Sequence, residues 1–237
     1  MIETREVTRG DYLAPQFSAD GRELMVTGPQ LAGLYVMPLA GTTVRQLTSD
    51  AEAGVHARWT ADGSIAYRAH RAGMRRDLVI GRDKSVRIAA AKSQVAFAKD
   101  DLMYVVDRTG KLARIGSGDR FFGAVVSRDG DKVVYQGLST GLYLYIRSTG
   151  VSRYIGPGTA PAWSPDGSRV VYEVTEDDGH EILASDLYVY EVARDRVSAI
   201  TTTDRMIERR PSFSPTGASI AFDDNTGGVF VGRFEVQ

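Results

Sequence analysis

One phrase recurs along the chain and limits its fold more than any other feature: an aromatic, a small hydroxyl residue, any residue, Asp, Gly. It stands as Phe17-Ser18-Ala19-Asp20-Gly21, Trp59-Thr60-Ala61-Asp62-Gly63 and Trp163-Ser164-Pro165-Asp166-Gly167. Phe213-Ser214-Pro215-Thr216-Gly217 departs from it at one position, and Phe97-Ala98-Lys99-Asp100-Asp101 and Val126-Ser127-Arg128-Asp129-Gly130 are looser copies. The first residues of these phrases are separated by 42, 38, 29, 37 and 50 positions. The mean is near the roughly 40–45 residues of a four-stranded propeller blade.

Each phrase is followed by short β-branched and aromatic runs, such as Val170-Val171-Tyr172, then Leu187-Tyr188-Val189-Tyr190, then Val197-Ser198-Ala199-Ile200-Thr201. Runs of this kind read as strands. Asp-Gly suits a tight hairpin, because Gly takes positive φ and Asp accepts nearby backbone N–H groups. With the strand that carries the aromatic, each repeat holds four strands. Helical periodicity is absent, apart from a hint of one turn at 178–185. The reading is an all-β, six-bladed propeller of four-stranded antiparallel blades, a single domain over 1–237 and a monomer. The aromatics are expected to fill the wedges between blades.

The sixth repeat ends after three strands, and Arg5-Glu6-Val7-Thr8 reads as a fourth strand without its own first three. Residues 4–8 are therefore expected to complete the last blade, beside Ile220 and Val229. This removes an edge open to aggregation.

Composition narrows the function. Twenty-nine basic residues nearly cancel thirty acidic ones, which disfavours a nucleic-acid partner. No apolar run is long enough to span a membrane, and no signal-peptide core begins the chain. There is no cysteine, hence no disulfide and no thiol chemistry.

The search for catalytic chemistry is unproductive. His56, His70 and His180 show no chelating spacing. Gly137-Leu138-Ser139-Thr140-Gly141 has the hydrolase-elbow pattern, but it lies between two strands where the mechanism needs a strand-to-helix turn; it reads as a hairpin loop. The acidic stretches around Asp177-Asp178 and Asp223-Asp224 do not match a calcium loop and read as solvated. The innermost strands offer Gln16, Arg58 and Ser212 but no carboxylate. The expectation is no catalytic residue, no metal and no cofactor.

What remains is a surface. The crossings between repeats and the loops after the second strands carry Tyr12, His56, Arg71, Arg75, Arg76, Phe121, Phe122, Arg209 and Arg210, and the inner strand of the second repeat adds Arg58. Repeat equivalence would gather several at one mouth of the channel, as a cationic and aromatic collar. Arg takes carboxylates bidentately and rings add apolar contact. These ten residues are the expected site for a protein or peptide partner, through an acidic or C-terminal segment.

Ala14-Pro15-Gln16-Phe17-Ser18-Ala19-Asp20-Gly21, Leu34-Tyr35-Val36-Met37 and Arg45-Gln46-Leu47-Thr48 resemble one repeat of the TolB-type six-bladed propeller family. Ala160-Pro161-Ala162-Trp163-Ser164-Pro165-Asp166-Gly167 resembles it more closely. The resemblance covers essentially the whole chain. It implies the propeller fold, a periplasmic or extracellular address with the cytoplasm as alternative, and a partner-binding role at the central opening. Similar propellers accompany hydrolase domains and proteases. A small-molecule hydrolase or lyase with a channel site, or an accessory propeller of a larger assembly, is therefore the alternative. The chain departs from the family in having no α/β domain before the propeller.

Overall fold

A computed structural model describes residues 3–71, 73–89, 95–203 and 206–233. The chain enters with β1 (Glu3–Arg9). Then come β2 (Leu13–Phe17), β3 (Glu23–Thr27), β4 (Leu34–Pro38) and β5 (Arg45–Thr48), and next β6 (Arg58–Trp59), β7 (Ile65–Arg71), β8 (Met74–Ile80) and β9 (Val86–Ile88). The middle holds β10 (Ala96–Lys99), β11 (Leu102–Val106) and β12 (Leu112–Ile115), followed by β13 (Phe121–Val126), β14 (Lys132–Gly137), β15 (Gly141–Ile146) and β16 (Val151–Gly156). The last strands are β17 (Thr159–Trp163), β18 (Arg169–Asp177), β19 (Ile182–Glu191) and β20 (Arg196–Ala199), then β21 (Glu208–Phe213), β22 (Ser219–Asp224) and β23 (Gly228–Arg233). They make six antiparallel sheets, the blades of a six-bladed β-propeller. A single 3-10 turn at Pro29–Leu31 is the one helical element among the described residues. The expected helical turn at 178–185 is instead a tight turn, with the Asp178 carboxylate accepting the N–H groups of His180 and Glu181 at 2.9 and 2.8 Å, followed by β19.

The chain divides into two compact units, residues 2–91 with 206–237 and residues 92–205. The first holds the sheets β2–β5, β6–β9 and β21-β22-β23-β1, and the second holds β10–β12, β13–β16 and β17–β20. In the first unit β1 pairs antiparallel with β23 from Glu3↔Arg233 to Arg9↔Gly228. The N-terminal strand thus completes the sixth blade, as its missing fourth strand required.

The third blade corrects the phrase register. Three strands are present among the described residues, and Phe97 is not equivalent to the aromatics of the other phrases. It stacks on Tyr104 across β10 and β11, with centroids 5.6 Å apart. Tyr135 on Tyr143, Tyr172 on Tyr188 and Phe222 on Phe230 stack in the same way, and each of those pairs joins a second strand to a third. The sheet β10–β12 therefore matches the second to fourth strands of its siblings. The preceding residues 90–94, most of an expected crossing, lie outside the described residues. Assigning the phrase to a second strand is what made the intervals of 38 and 29 irregular.

The true phrases share one hydrogen-bond pattern. Their hydroxyls are removed from water, with Ser18, Ser127, Ser164 and Ser214 all buried, and a buried hydroxyl needs partners. Ser18 Oγ donates to Asp20 at 2.7 Å and accepts the Glu23 N–H at 3.0 Å. Ser164 repeats this with Asp166 and Arg169, and Ser127 with Asp129 and Lys132. The hydroxyl and backbone donors hold these carboxyls below the ordinary aspartate value, at about 2 for Asp62 and Asp166. The sixth blade has Thr216 in the Asp place, and its contacts to Ser214 and to the Ala218 N–H are long, at 3.3 Å. The phrase aromatics stitch blades together: Trp59 donates to the Gln16 carbonyl at 3.2 Å, and Trp163 to the Val125 carbonyl at 2.9 Å.

The innermost strands are bulged. Ala14, Gly123, Ala160 and Arg210 each lie three residues before the phrase and take φ of 49 to 59°. The ladder slips there in all four blades. Such bulges re-aim the side chains around them. In the sixth blade the bulge turns the Arg210 guanidinium onto Asp223, which is fully buried and also accepts the Ala14 N–H at 2.9 Å. In the fifth, Thr159 donates to buried Glu173 at 2.9 Å.

Two outcomes are expected. Removing residues 1–9 strips β1 from β23 and should lower the melting temperature by about 10 °C or more; in the intact protein, hydrogen exchange should show β1 amides protected together with those of β23. Thr216→Asp should restore the missing acceptor and raise the melting temperature by about 2–4 °C at neutral pH. Because the folded pKa of these aspartates is depressed, the gain should be complete above the ordinary value near 3.8 and vanish as the pH falls through about 2. Thermal melts across that range check it.

Candidate functional site

The ten expected site residues separate. Phe121 is a core side chain, 2% exposed and edge-on to Tyr135 and Tyr143, so it offers nothing to a partner. Its neighbour Phe122 is 41% exposed. Both belong to the unit of residues 92–205. The other eight lie in the first unit. There Tyr12 is half-buried, tilted against Tyr35 at 5.3 Å beside the core of Phe17, Leu24 and Val229. Arg210 is bound bidentately by Asp223, and Arg209, on the same strand, is half-buried. A partner carboxylate could take Arg210 only by displacing a buried charge, at a cost of several kcal/mol.

Five of the expected residues remain together on the second blade. The β7–β8 hairpin is built by alternation: Ile65, Tyr67 and Ala69 face the core with Leu78 and Ile80, while Arg68, His70, Arg71, Arg75 and Arg76 occupy its far end. The loop from 49 to 57 lies against it through two anchors. Tyr67, buried, donates its hydroxyl to Asp50 at 3.0 Å, and Arg71 donates to the same oxygen at 2.7 Å. Burial works against the Asp50 carboxylate, but Arg71, Thr48 and Tyr67 outweigh it and hold its pKa below the usual range. Glu52 sits 3.6 Å from His70 and 3.8 Å from Arg75. Arg68 forks onto Asp77 at 2.6 and 3.3 Å.

The charge is unbalanced. Arg58, Arg68, Arg71, Arg75 and Arg76 face only Asp50, Glu52 and Asp77. Arg58 and Arg76 make no hydrogen bond or ion pair among the described residues. Partial desolvation, then the charges of Arg68 and Arg75, push His56 below its ordinary pKa; Asp77 pulls the other way, and Arg58 adds to the lowering. Met74, next to Arg75 along β8, and Val55, next to His56, are exposed at 54% and 47%. This patch offers guanidinium donors with apolar contact.

Buried carboxylates were missed in the sequence. The inner strand β21 extends back to Glu208, which is buried, and Glu173, Asp223 and Asp224 are buried on second strands. Asp223-Asp224 is therefore no solvated loop. Asp224 accepts the N–H groups of Thr226 and Gly228 at 2.9 and 2.7 Å and closes the β22–β23 hairpin. The available signal was position: Glu173 and Asp223 both stand ten residues after their phrase aromatics. Residues 137–141 are a hairpin connection between β14 and β15, as expected. Among the described residues, no three His, Cys, Asp or Glu side chains gather as metal ligands would, and no helix is long and apolar enough to cross a membrane.

No protein-family model matches the chain. Among solved structures, the TolB candidate of Agrobacterium tumefaciens is similar over 99% of this chain and 98% of its own, with a TM-score of 0.63 and 17% identity. A gluconolactonase from Xanthomonas campestris is similar over 99% and 90%, with a TM-score of 0.66 and 11% identity. At these identities both likenesses carry the propeller fold and nothing about activity.

Proposed function

We propose that this chain is a non-catalytic binding module that takes an acidic segment of a protein or peptide partner on the second blade. The observation that carries the reading is the group of Arg58 and Arg75 around His56, with half-buried Arg76 at the same hairpin end and Met74 and Val55 exposed, on a hairpin anchored through Tyr67 and Asp50. Exposed guanidinium and apolar groups side by side suit interface hot spots. Glu52 is shared by His70 and Arg75 at long range and both partners are exposed, so a partner carboxylate displaces little there. The periplasm is the compartment that the TolB-type resemblance implies. A hydrolase or lyase is the weaker alternative, because Asp223 and Asp224 are committed to Arg210 and to a hairpin turn.

Arg58→Glu with Arg75→Glu and Arg76→Glu should weaken binding of a short peptide of alternating Glu and Leu at least tenfold, about 1.4 kcal/mol. Exposed Arg58 and Arg75 should cost within about 0.5 kcal/mol each and half-buried Arg76 somewhat more, so the melting temperature is read beside the affinity. Fluorescence anisotropy with the labelled peptide measures this, and unchanged affinity in the triple variant defeats the proposal. Affinity should fall with added salt. It should also rise as the pH falls into the range where His56 takes a proton. Desolvation and the neighbouring arginines disfavour the His56 imidazolium in the free protein, and a bound carboxylate favours it, so binding takes up a proton. His56→Gln should flatten that profile.

Arg210→Ala should behave otherwise. It removes the guanidinium that forks onto the buried Asp223 carboxylate, and should destabilise the fold by about 3–5 kcal/mol, while peptide affinity of the folded fraction stays unchanged. Urea unfolding read beside the anisotropy separates the two effects.

A further inference from the structure

A cleft of about 250 Å³ opens between the first and second blades, on the side of the Asp-Gly turns and away from the arginine hairpin. Val36, Leu47 and Trp59 give it an apolar wall, and Arg45, Arg82 and Glu23 stand around it. Arg82 lies across the turn of its own blade. A side chain at Gly63 would meet its guanidinium, whose Nη2 is 2.3 Å from where a Cβ would be.

The fourth blade shows what a guanidinium in such a place does. Arg147 also lies over its own phrase turn, donating to the Gly130 carbonyl at 2.5 Å. From there it reaches the preceding blade, donating to the carbonyls of Val106 at 2.7 Å and Asp107 at 3.0 Å. Three peptide oxygens thus hold it in place and close the gap between blades. Arg82 makes no hydrogen bond or ion pair among the described residues, and on its side the gap is the cleft. The charge of Arg45 is offset by Glu23 at 3.9 Å. Asp20 on the wall is occupied by the Ser18 hydroxyl and the Arg22 N–H. Arg82 is therefore the guanidinium of the cleft with no bonded partner among the described residues, and its fork is open to one carboxylate. A more highly charged anion would be repelled by Asp20 and Glu23.

We propose that this cleft binds the C-terminal residue of a peptide, its carboxylate forked on Arg82 and an aliphatic side chain against Trp59, Leu47 and Val36. Bidentate pairing supplies the orientation. The volume is below the roughly 300–1,000 Å³ of ordinary ligand sites and suits one medium side chain with its carboxylate. The site shares no residue with the acidic-segment surface of the second blade and does not depend on it.

The test uses the full chain and N-acetyl-Ala-Leu, with the same dipeptide as its C-terminal amide. The protein has two tryptophans, so Trp59 can be followed by its indole N–H resonance, assigned with Trp163→Phe. The acid should shift that resonance saturably with a dissociation constant of about 1–10 mM, and the amide should bind at least tenfold more weakly. Arg82→Gln should lose at least tenfold for the acid while its melting temperature stays unchanged. The variant with Arg58, Arg75 and Arg76 reversed should bind the acid normally, which separates this site from the other. Equal binding of acid and amide, undiminished binding by Arg82→Gln, or no saturable shift of Trp59 would each overturn the proposal.

Discussion

A hydroxyl taken out of water at the start of each phrase turn sets the geometry on which the blades depend. It donates to the Asp two residues on and accepts a backbone N–H five residues on, as at Ser18, Ser127 and Ser164. Those bonds hold the first hairpin in one register: Phe17 faces Leu24, Val126 faces Val133, and Trp163 faces Val170. In the second blade the turn is one residue shorter and Trp59 faces Ile65. A slip of one residue would turn every side chain of a strand to the wrong face. The stacked pairs of the second and third strands, Tyr135 on Tyr143 and Tyr172 on Tyr188, line up because the register before them is held.

The bulge three residues before the phrase is the second constraint. The backbone solution is shared, but each side chain near it has its own task. Ala14 donates its N–H to Asp223, Thr159 satisfies Glu173, and Arg210 neutralises Asp223. A left-handed arginine is strained, and it is held here by its fork onto the buried Asp223 carboxylate. The same residue that reads in the sequence as a free cation is a piece of the core's electrostatics.

Charge is local in this molecule. The chain is nearly neutral, at −1, yet five guanidinium groups meet at one end of the second blade. Net charge speaks to solubility and to long-range attraction; it is silent about such a patch. Nor does the fold decide between uses of the patch, since one architecture is shared with a TolB candidate and a lactonase. What distinguishes a binding surface here is which arginines already have partners.

The sequence by itself determined the blade repeat, the turn chemistry and the donation of an N-terminal strand to the last blade, because each follows from short-range stereochemistry repeated at a near-constant spacing. It also placed Arg75 and Arg76 at a loop end and Arg58 on an inner strand, since strand and turn patterning is local. Only the tertiary structure decided that Phe97 lies on a second strand, because two similar strands differ in their neighbours and not in their residues. It decided too that Phe121 is core, that Arg210 is tied to Asp223 thirteen residues away, and that Arg82 faces a gap where Arg147 fills one. Those outcomes depend on what stands opposite each side chain across a sheet or between blades. Burial and pairing at that range are properties of the packed molecule, and no spacing along the chain encodes them.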